Sequence, residues 1–220
     1  MLDLEKLIYI NMPREEATRN YLLQCAEIFS RCYGVWTKTG KRVSLTPTRL
    51  QNDYLFDDSC RLIVAKYEDK ILGHAFYTSF NLETLGGKVV WITQLVVDDE
   101  YRNINIAQTL ILSCMGTEAK AVGLCTSHPY AVKALEKATK YKVDPDMVIK
   151  YAKELIAKSN IPYLKGATLK CTSDACLIDT KFDVDHTEIN TILKGLIDRD
   201  EWKLGKLSDE HEFFAVVFIQ

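Results

Sequence analysis

Nowhere in the 220 residues does an apolar run approach the ~18 needed to cross a bilayer, which excludes a membrane-spanning helix. Basic excess is missing too. Lys and Arg number 28 against 30 Asp and Glu, the formal net charge is −2, and no dense basic cluster occurs, so nucleic acid is not expected as a partner. There is no GxGxxG, and the early strand signals form hairpins, which sets aside a dinucleotide-binding fold. Cysteine is present without a ligand pattern. The seven, Cys25, Cys32, Cys60, Cys114, Cys125, Cys171 and Cys176, are odd in number, and no second closely spaced pair completes four ligands around Cys171, Cys176 and His186. Reduced, buried thiols and no metal are the expectation. The first ten residues, MLDLEKLIYI, carry Asp3 and Glu5 where a signal peptide would be basic and then apolar, which points to the cytoplasm or the nucleus. What remains is ordinary globular material, 47% hydrophobic and 26% charged, enough for one domain over residues 1–220.

The hydrophobic periodicity then lays out the elements. Leu4 to Ile10 reads as a strand, and Pro13 is suited to open a helix whose face is Ala17, Tyr21, Leu22, Cys25, Ile28, Phe29 and Cys32. A short helical piece is expected around Leu50 to Leu55. RLIVAKY and ILGHAFYTSF, joined by the polar turn EDK, read as a hairpin, and KVVWITQLVV is the most strand-like run of the chain. From Ile104 the period changes: Ile104, Ala107, Leu110, Ile111, Cys114 and Met115 recur at three and four, a helix face. AVGLCTS follows as a buried strand and HPYAVKALEKATK as a helix. Three antiparallel strands feeding a strand–helix–strand–helix unit imply a mixed α/β sheet.

The joint between KVVWITQLVV and the next helix contains an arginine, two asparagines and no glycine. A helix start presents unpaired N–H groups and a partial positive charge, so a loop curling its amides inward there forms an anion site. Such loops need a residue that accepts a left-handed backbone; glycine does so best and asparagine next. The stretch Arg102-Asn103-Ile104-Asn105-Ile106-Ala107 resembles the acyl-CoA-binding signature of the GNAT superfamily of N-acyltransferases, Gln/Arg-x-x-Gly-x-Gly/Ala, with Asn105 in place of the central glycine. The lead-in LVVDDEYR and the order of elements over roughly residues 4–138 are also similar to that family. The resemblance implies a mostly antiparallel mixed sheet flanked by helices, and acetyl-CoA or another acyl-CoA as co-substrate. It further implies that Leu95, Val96 and Val97 bind the pantetheine arm along their backbone. The amides from Asn103 through Ile104, Asn105, Ile106 and Ala107 to Gln108 would then hold the pyrophosphate, with Arg102 and His128 beside it. The bland alternative is an ordinary turn with a solvated Arg102.

Catalytic groups are less legible. The following helix, by the same resemblance, commonly carries Asn-x-x-Ala-x-x-x-Tyr-Glu-Lys, the tyrosine serving as acid to the departing thiolate. HPYAVKALEK keeps Ala131, Glu136 and Lys137 but has His128 for the asparagine and Leu135 for the tyrosine. Tyr130 and Ser127, at the start of this helix, are candidate replacement donors; capping by Ser127 or His128 and packing by Tyr130 are the competing readings. A base is equally open. The strand before the signature alternates Trp91, Thr93, Leu95 with Ile92, Gln94, Val96 and contains no carboxylate or imidazole. His74 on the neighbouring strand is the candidate, against its reading as a satisfied core histidine.

Eighty residues follow Lys140. Asp144-Pro145 opens a helix, Asp185 to Glu188 resembles a capping box ahead of another with Ile189, Ile192, Leu193, Leu196 and Ile197 on one face, and EWKLGKL and EFFAVVFIQ read as two closing strands. A helical insertion of about residues 141–200 is therefore expected before a C-terminal hairpin, either shaping substrate access or capping the fold. Two functional classes stand. One is an N-acyltransferase moving acetyl from acetyl-CoA to a primary amine of a small molecule or a peptide. The other is a CoA-binding relative without turnover.

Overall fold

The computed structural model describes residues 3–208 and 210–219. Eight strands form one sheet in the order β1-β2-β3-β4-β5-β8-β7-β6. Its first half is a meander: β1 (Leu7–Pro13), β2 (Arg61–Tyr67), β3 (Lys70–Leu82) and β4 (Gly87–Val97) pair antiparallel in sequence. The helix α3 (Ile106–Met115) then carries the chain to β5 (Ala119–Thr126), which lies parallel to β4. Beyond it, β8 (Glu212–Phe218), β7 (Cys176–Asp179) and β6 (Thr168–Cys171) complete the sheet antiparallel.

The helices cover both faces. Leu110, Ile111 and Cys114 of α3, Val132, Leu135 and Ala138 of α4 (Pro129–Thr139), and Leu193 and Leu196 of α6 (Thr187–Asp198) pack on one face against Ile92, Leu124 and Phe213. The other face is covered by α1 (Arg19–Cys32) and α2 (Pro47–Tyr54) over Leu62, Val64 and Phe76, and by α5 (Pro145–Lys158) over Trp91 and Phe214. A sheet buried on both sides explains why its central strands are continuous apolar runs.

Several expectations shift. The first strand starts at Leu7 after a 3-10 turn, Pro13 is its last residue and not a helix opener, and α1 starts at Arg19. The N-cap of α6 is His186, one residue after the Asp185 of the expected capping box; the Asp185 carboxylate accepts from the Thr187 N–H and hydroxyl at 2.8 and 2.6 Å. Cys171 and Cys176 face each other across the β6–β7 turn and are joined by a disulfide, which overturns the reading of all seven as reduced thiols. EWKLGKL is not a strand. Trp202 and Leu204 are buried two apart, as a strand would bury them, but the alternation breaks at Gly205, which has φ +65° and whose carbonyl accepts from the Trp202 indole at 2.7 Å, and the next buried residue is Leu207. β7 takes the outer edge of β8 at Glu212 and Phe213, and residues 201–207 form no ladder with β8.

Candidate active site

Two irregularities in β4 create the site. The ladder with β5 runs from Lys88–Ala119 to Ile92–Leu124 and stops. Beyond it, Leu95 to Val97 stay paired to β3, and Cys125 and Thr126 stay paired to β8, so the two strands part. The second irregularity is a bulge. Phe76 of β3 faces Gln94 and Tyr77 faces Ile92, so Thr93 is one residue too many. Strict alternation through β4 is thereby broken. Trp91, Gln94 and Val96 share the α1/α2/α5 face, while Ile92, Leu95 and Val97 turn toward α3 and α4. The free inner edge of β4 offers unpaired backbone groups to whatever enters the gap.

A cavity of about 860 Å³ fills that opening. Leu95, Val96 and Val97 form one wall; Arg102, Asn103, Asn105, Ile106, Ala107 and Gln108 form its end; Ser127, His128 and Tyr130 form the opposite wall. Of the residues singled out in the sequence, Ile104 and His74 do not line it. Ile104 packs on the core. His74 is wholly buried on the far face, where its Nε2–H donates to the Gln94 amide oxygen at 2.8 Å, and burial holds its pKa down at about 4. It is a neutral core histidine at physiological pH.

The loop has the conformation its composition suggests. Asn103 and Asn105 have φ of +65° and +68°, and Asn105 directly precedes α3. Asn105 and the first residues of α3, Ile106, Ala107 and Gln108, line the cavity end, and a helix start with its unpaired amides suits an anion there. Arg102 does not lie free in solvent: its guanidinium donates to the Val97 and Cys32 carbonyls at 3.3 and 3.4 Å, tying the loop to β4 and α1. Asp98, fully buried, anchors the same corner through Arg31 at 2.6 Å and Lys70 at 3.4 Å. On the opposite wall, His128 caps α4 by accepting the Tyr130 N–H on Nδ1 at 3.3 Å. Burial and the neighbouring Arg102 charge push its pKa down to about 4, so the ring is neutral and its Nε2–H points elsewhere as a donor. Tyr130 is half exposed, whereas Leu135 is buried in the core, where no donor could reach a ligand.

The insertion expected over about residues 141–200 contributes residues to the cavity wall that the sequence did not single out for the site. Val184, Asp185, Glu188, Ile189 and Ile192 line it as well, so the segment after β7 is a wall of the site. That segment straps across to the turn after α1: Val184 bridges Trp36, the Asp185 N–H donates to the Val35 carbonyl at 2.9 Å, and Phe182 packs on Tyr33 and Trp36. The one signal for it was the width of the α6 apolar face, where Ile189 and Ile192 extend beyond the buried Leu193 and Leu196.

Residues 22–137, more than half the chain, match the family model described as acetyltransferase (GNAT) family. The chain belongs to this family. As a GNAT acetyltransferase it is an enzyme that draws its acyl group from acyl-CoA. No curated protein matches it. Among solved structures, an aminoglycoside acetyltransferase from an uncultured soil metagenomic sample, in complex with sisomicin, is 16% identical over 61% of this chain and 88% of its own, with a TM-score of 0.48. Naa50 of Arabidopsis thaliana, in complex with a bisubstrate analogue, is 16% identical over 63% and 84%, with a TM-score of 0.42. The diaminobutyrate acetyltransferase of Paenibacillus lautus, in complex with its substrate and coenzyme A, is 14% identical over 96% and 93%, with a TM-score of 0.39.

Proposed function

We propose that this GNAT enzyme transfers acetyl from acetyl-CoA to a primary amine by direct attack within a ternary complex. The observation that carries the reading is the parting of β4 and β5 beside the left-handed Asn103–Asn105 loop. A pantetheine arm has amide groups that suit the free edge of Leu95 to Val97, and a pyrophosphate suits the amides at the start of α3, near Arg102. The thioester would then lie in the gap, open to an amine from the α1/α2 face.

The chemistry needs little from the protein. The amine lone pair attacks the thioester carbon, a C–N bond forms, the nitrogen gives up one N–H proton to solvent or a nearby group, the C–S bond breaks, and the thiolate takes a proton. Leu135 cannot give that proton, so Tyr130 or Ser127, both on the cavity wall, is assigned to it. Acetyl-CoA with a panel of primary amines, followed by mass spectrometry of the amines, tests the reaction. Tyr130→Phe and Ser127→Ala, made singly, test the acid. One of them should lower kcat by about 10²–10⁴ with acetyl-CoA affinity unchanged. Near-full turnover in both would assign the proton to water. No acetylated product from any amine would contradict the reading itself.

A further inference from the structure

Among the described residues, two carboxylates are buried, Asp98 and Glu212. Asp98 has Arg31 and Lys70. Glu212, 7% exposed, has neither a lysine nor an arginine within ion-pair distance; the Thr180 hydroxyl donates to it at 2.5 Å. A buried carboxyl without a cation is costly, and a fold that keeps one invites a functional explanation.

Its position supplies one. Glu212 is the first residue of β8, whose register against β5 ends at Thr126–Phe213. The next pair in that register is Ser127 with Glu212, at the point where β5 leaves the sheet and the gap opens. Alternation from Phe214, which packs with Trp91 under α5, puts the Glu212 side chain on the face opposite the cofactor loop. There it is within electrostatic reach of Tyr33 at the end of α1, Tyr54 of α2, Cys125 of β5 and Tyr163 after α5. Burial raises the pKa of all four, and the Glu212 charge adds to it, so they stay neutral. Asp179, on the other side of β7, is paired with Lys181 and reached by His211.

We propose that Glu212 receives the proton of the acceptor ammonium on the α1/α2 face of the gap, which frees the amine lone pair to attack the thioester. This rests on the acetyl-transfer reading above. The acceptor arrives as a cation and is the counter-charge that Glu212 lacks. One ammonium N–H bond breaks and the carboxylate becomes a carboxylic acid; the neutral amine forms the C–N bond, the C–S bond breaks, and the second N–H proton, lost as the amide forms, balances the proton taken by the departing thiolate. After product release the acid returns its proton to water. Burial raises the Glu212 pKa to about 7, so the base form is gained as pH rises through neutrality. Among the described residues no other buried carboxyl without a cation faces this side.

The test compares wild type with Glu212→Gln, which keeps size and the Thr180 contact, and with Glu212→Asp. Acetyl-CoA affinity is measured first by calorimetry; its absence in all three proteins defeats the acetyl-transfer reading. The kcat/KM for the best primary amine of the panel is then followed from pH 5.5 to 9. Expected is an acid limb near pH 7 in wild type, a loss of about 10²–10⁴ in Glu212→Gln together with loss of that limb, and partial recovery in Glu212→Asp, all at unchanged acetyl-CoA affinity. Infrared difference spectra of the unliganded proteins give a readout free of turnover: a buried protonated carboxyl that disappears near pH 7 in wild type and is missing in Glu212→Gln. Glu212→Gln turning over within twofold of wild type with the same acid limb overturns the proposal, as does a wild-type spectrum without that carboxyl.

Discussion

At Asn105 a single dihedral angle connects sequence to chemistry. Its φ of +68° is a conformation that glycine adopts freely and asparagine tolerates. Asn105→Gly should therefore keep or tighten acetyl-CoA binding. Asn105→Val should weaken it, since a β-branched residue pays on the order of 1–2 kcal/mol there, roughly tenfold in Kd. Titration calorimetry of the three proteins checks this, and equal affinities would remove Asn105 from the glycine position of the loop. The left-handed asparagine was legible because residue type alone restricts it. Glu212 was not: within EFFAVVFIQ and its surroundings it is one polar residue at the head of an apolar strand, and only the register of β5 with β8 brings it to the gap. His74 was visible as a lone imidazole on a strand, but its burial behind Gln94 depends on the neighbouring strand β4.

Elements position these residues, and β4 with β5 matter most. Gly123 of β5 lies opposite Trp91 of β4, and a Cβ there would sit 2.5 Å from the indole ring. Trp91 cannot yield easily, because its N–H donates to the Tyr163 hydroxyl at 2.9 Å and its ring packs on Phe214. Gly123→Ala should cost about 1–3 kcal/mol, seen as a lower Tm, and should weaken acetyl-CoA binding by moving the strand that borders the gap. An unchanged Tm would mean that the two strands accommodate the methyl group. The helices were readable from spacing, since each has one dominant apolar face, and the meander from its short apolar runs bounded by polar turns. The bulge at Thr93 was not, because KVVWITQLVV is apolar on both sides of it and alternation is invisible in such a run. EWKLGKL, which alternates at Trp202 and Leu204, looked like the partner of β8; that Cys176–Asp179 pairs with β8 at Glu212 and Phe213 is a tertiary event.

Over the whole molecule, the last third of the chain completes the site from two directions. The pair β6–β7 extends the sheet past β8, and the strap through Val184 and Asp185 joins α6 to the end of α1 across the cavity. One wall of the cavity therefore belongs to the family-typical residues 22–137 and another to the residues that follow. The central claim is that the gap between β4 and β5 binds acyl-CoA, and thermal unfolding with and without acetyl-CoA tests it most directly. At a hundredfold excess over Kd, binding to the native state adds about 2.7 kcal/mol, which for a chain of this size raises Tm by about 5–10 °C. Desulfo-CoA should do much the same, because on the proposed reading the loop and the strand edge would hold the pyrophosphate and the arm and not the sulfur. A Tm unmoved by millimolar acetyl-CoA and desulfo-CoA alike would contradict the claim.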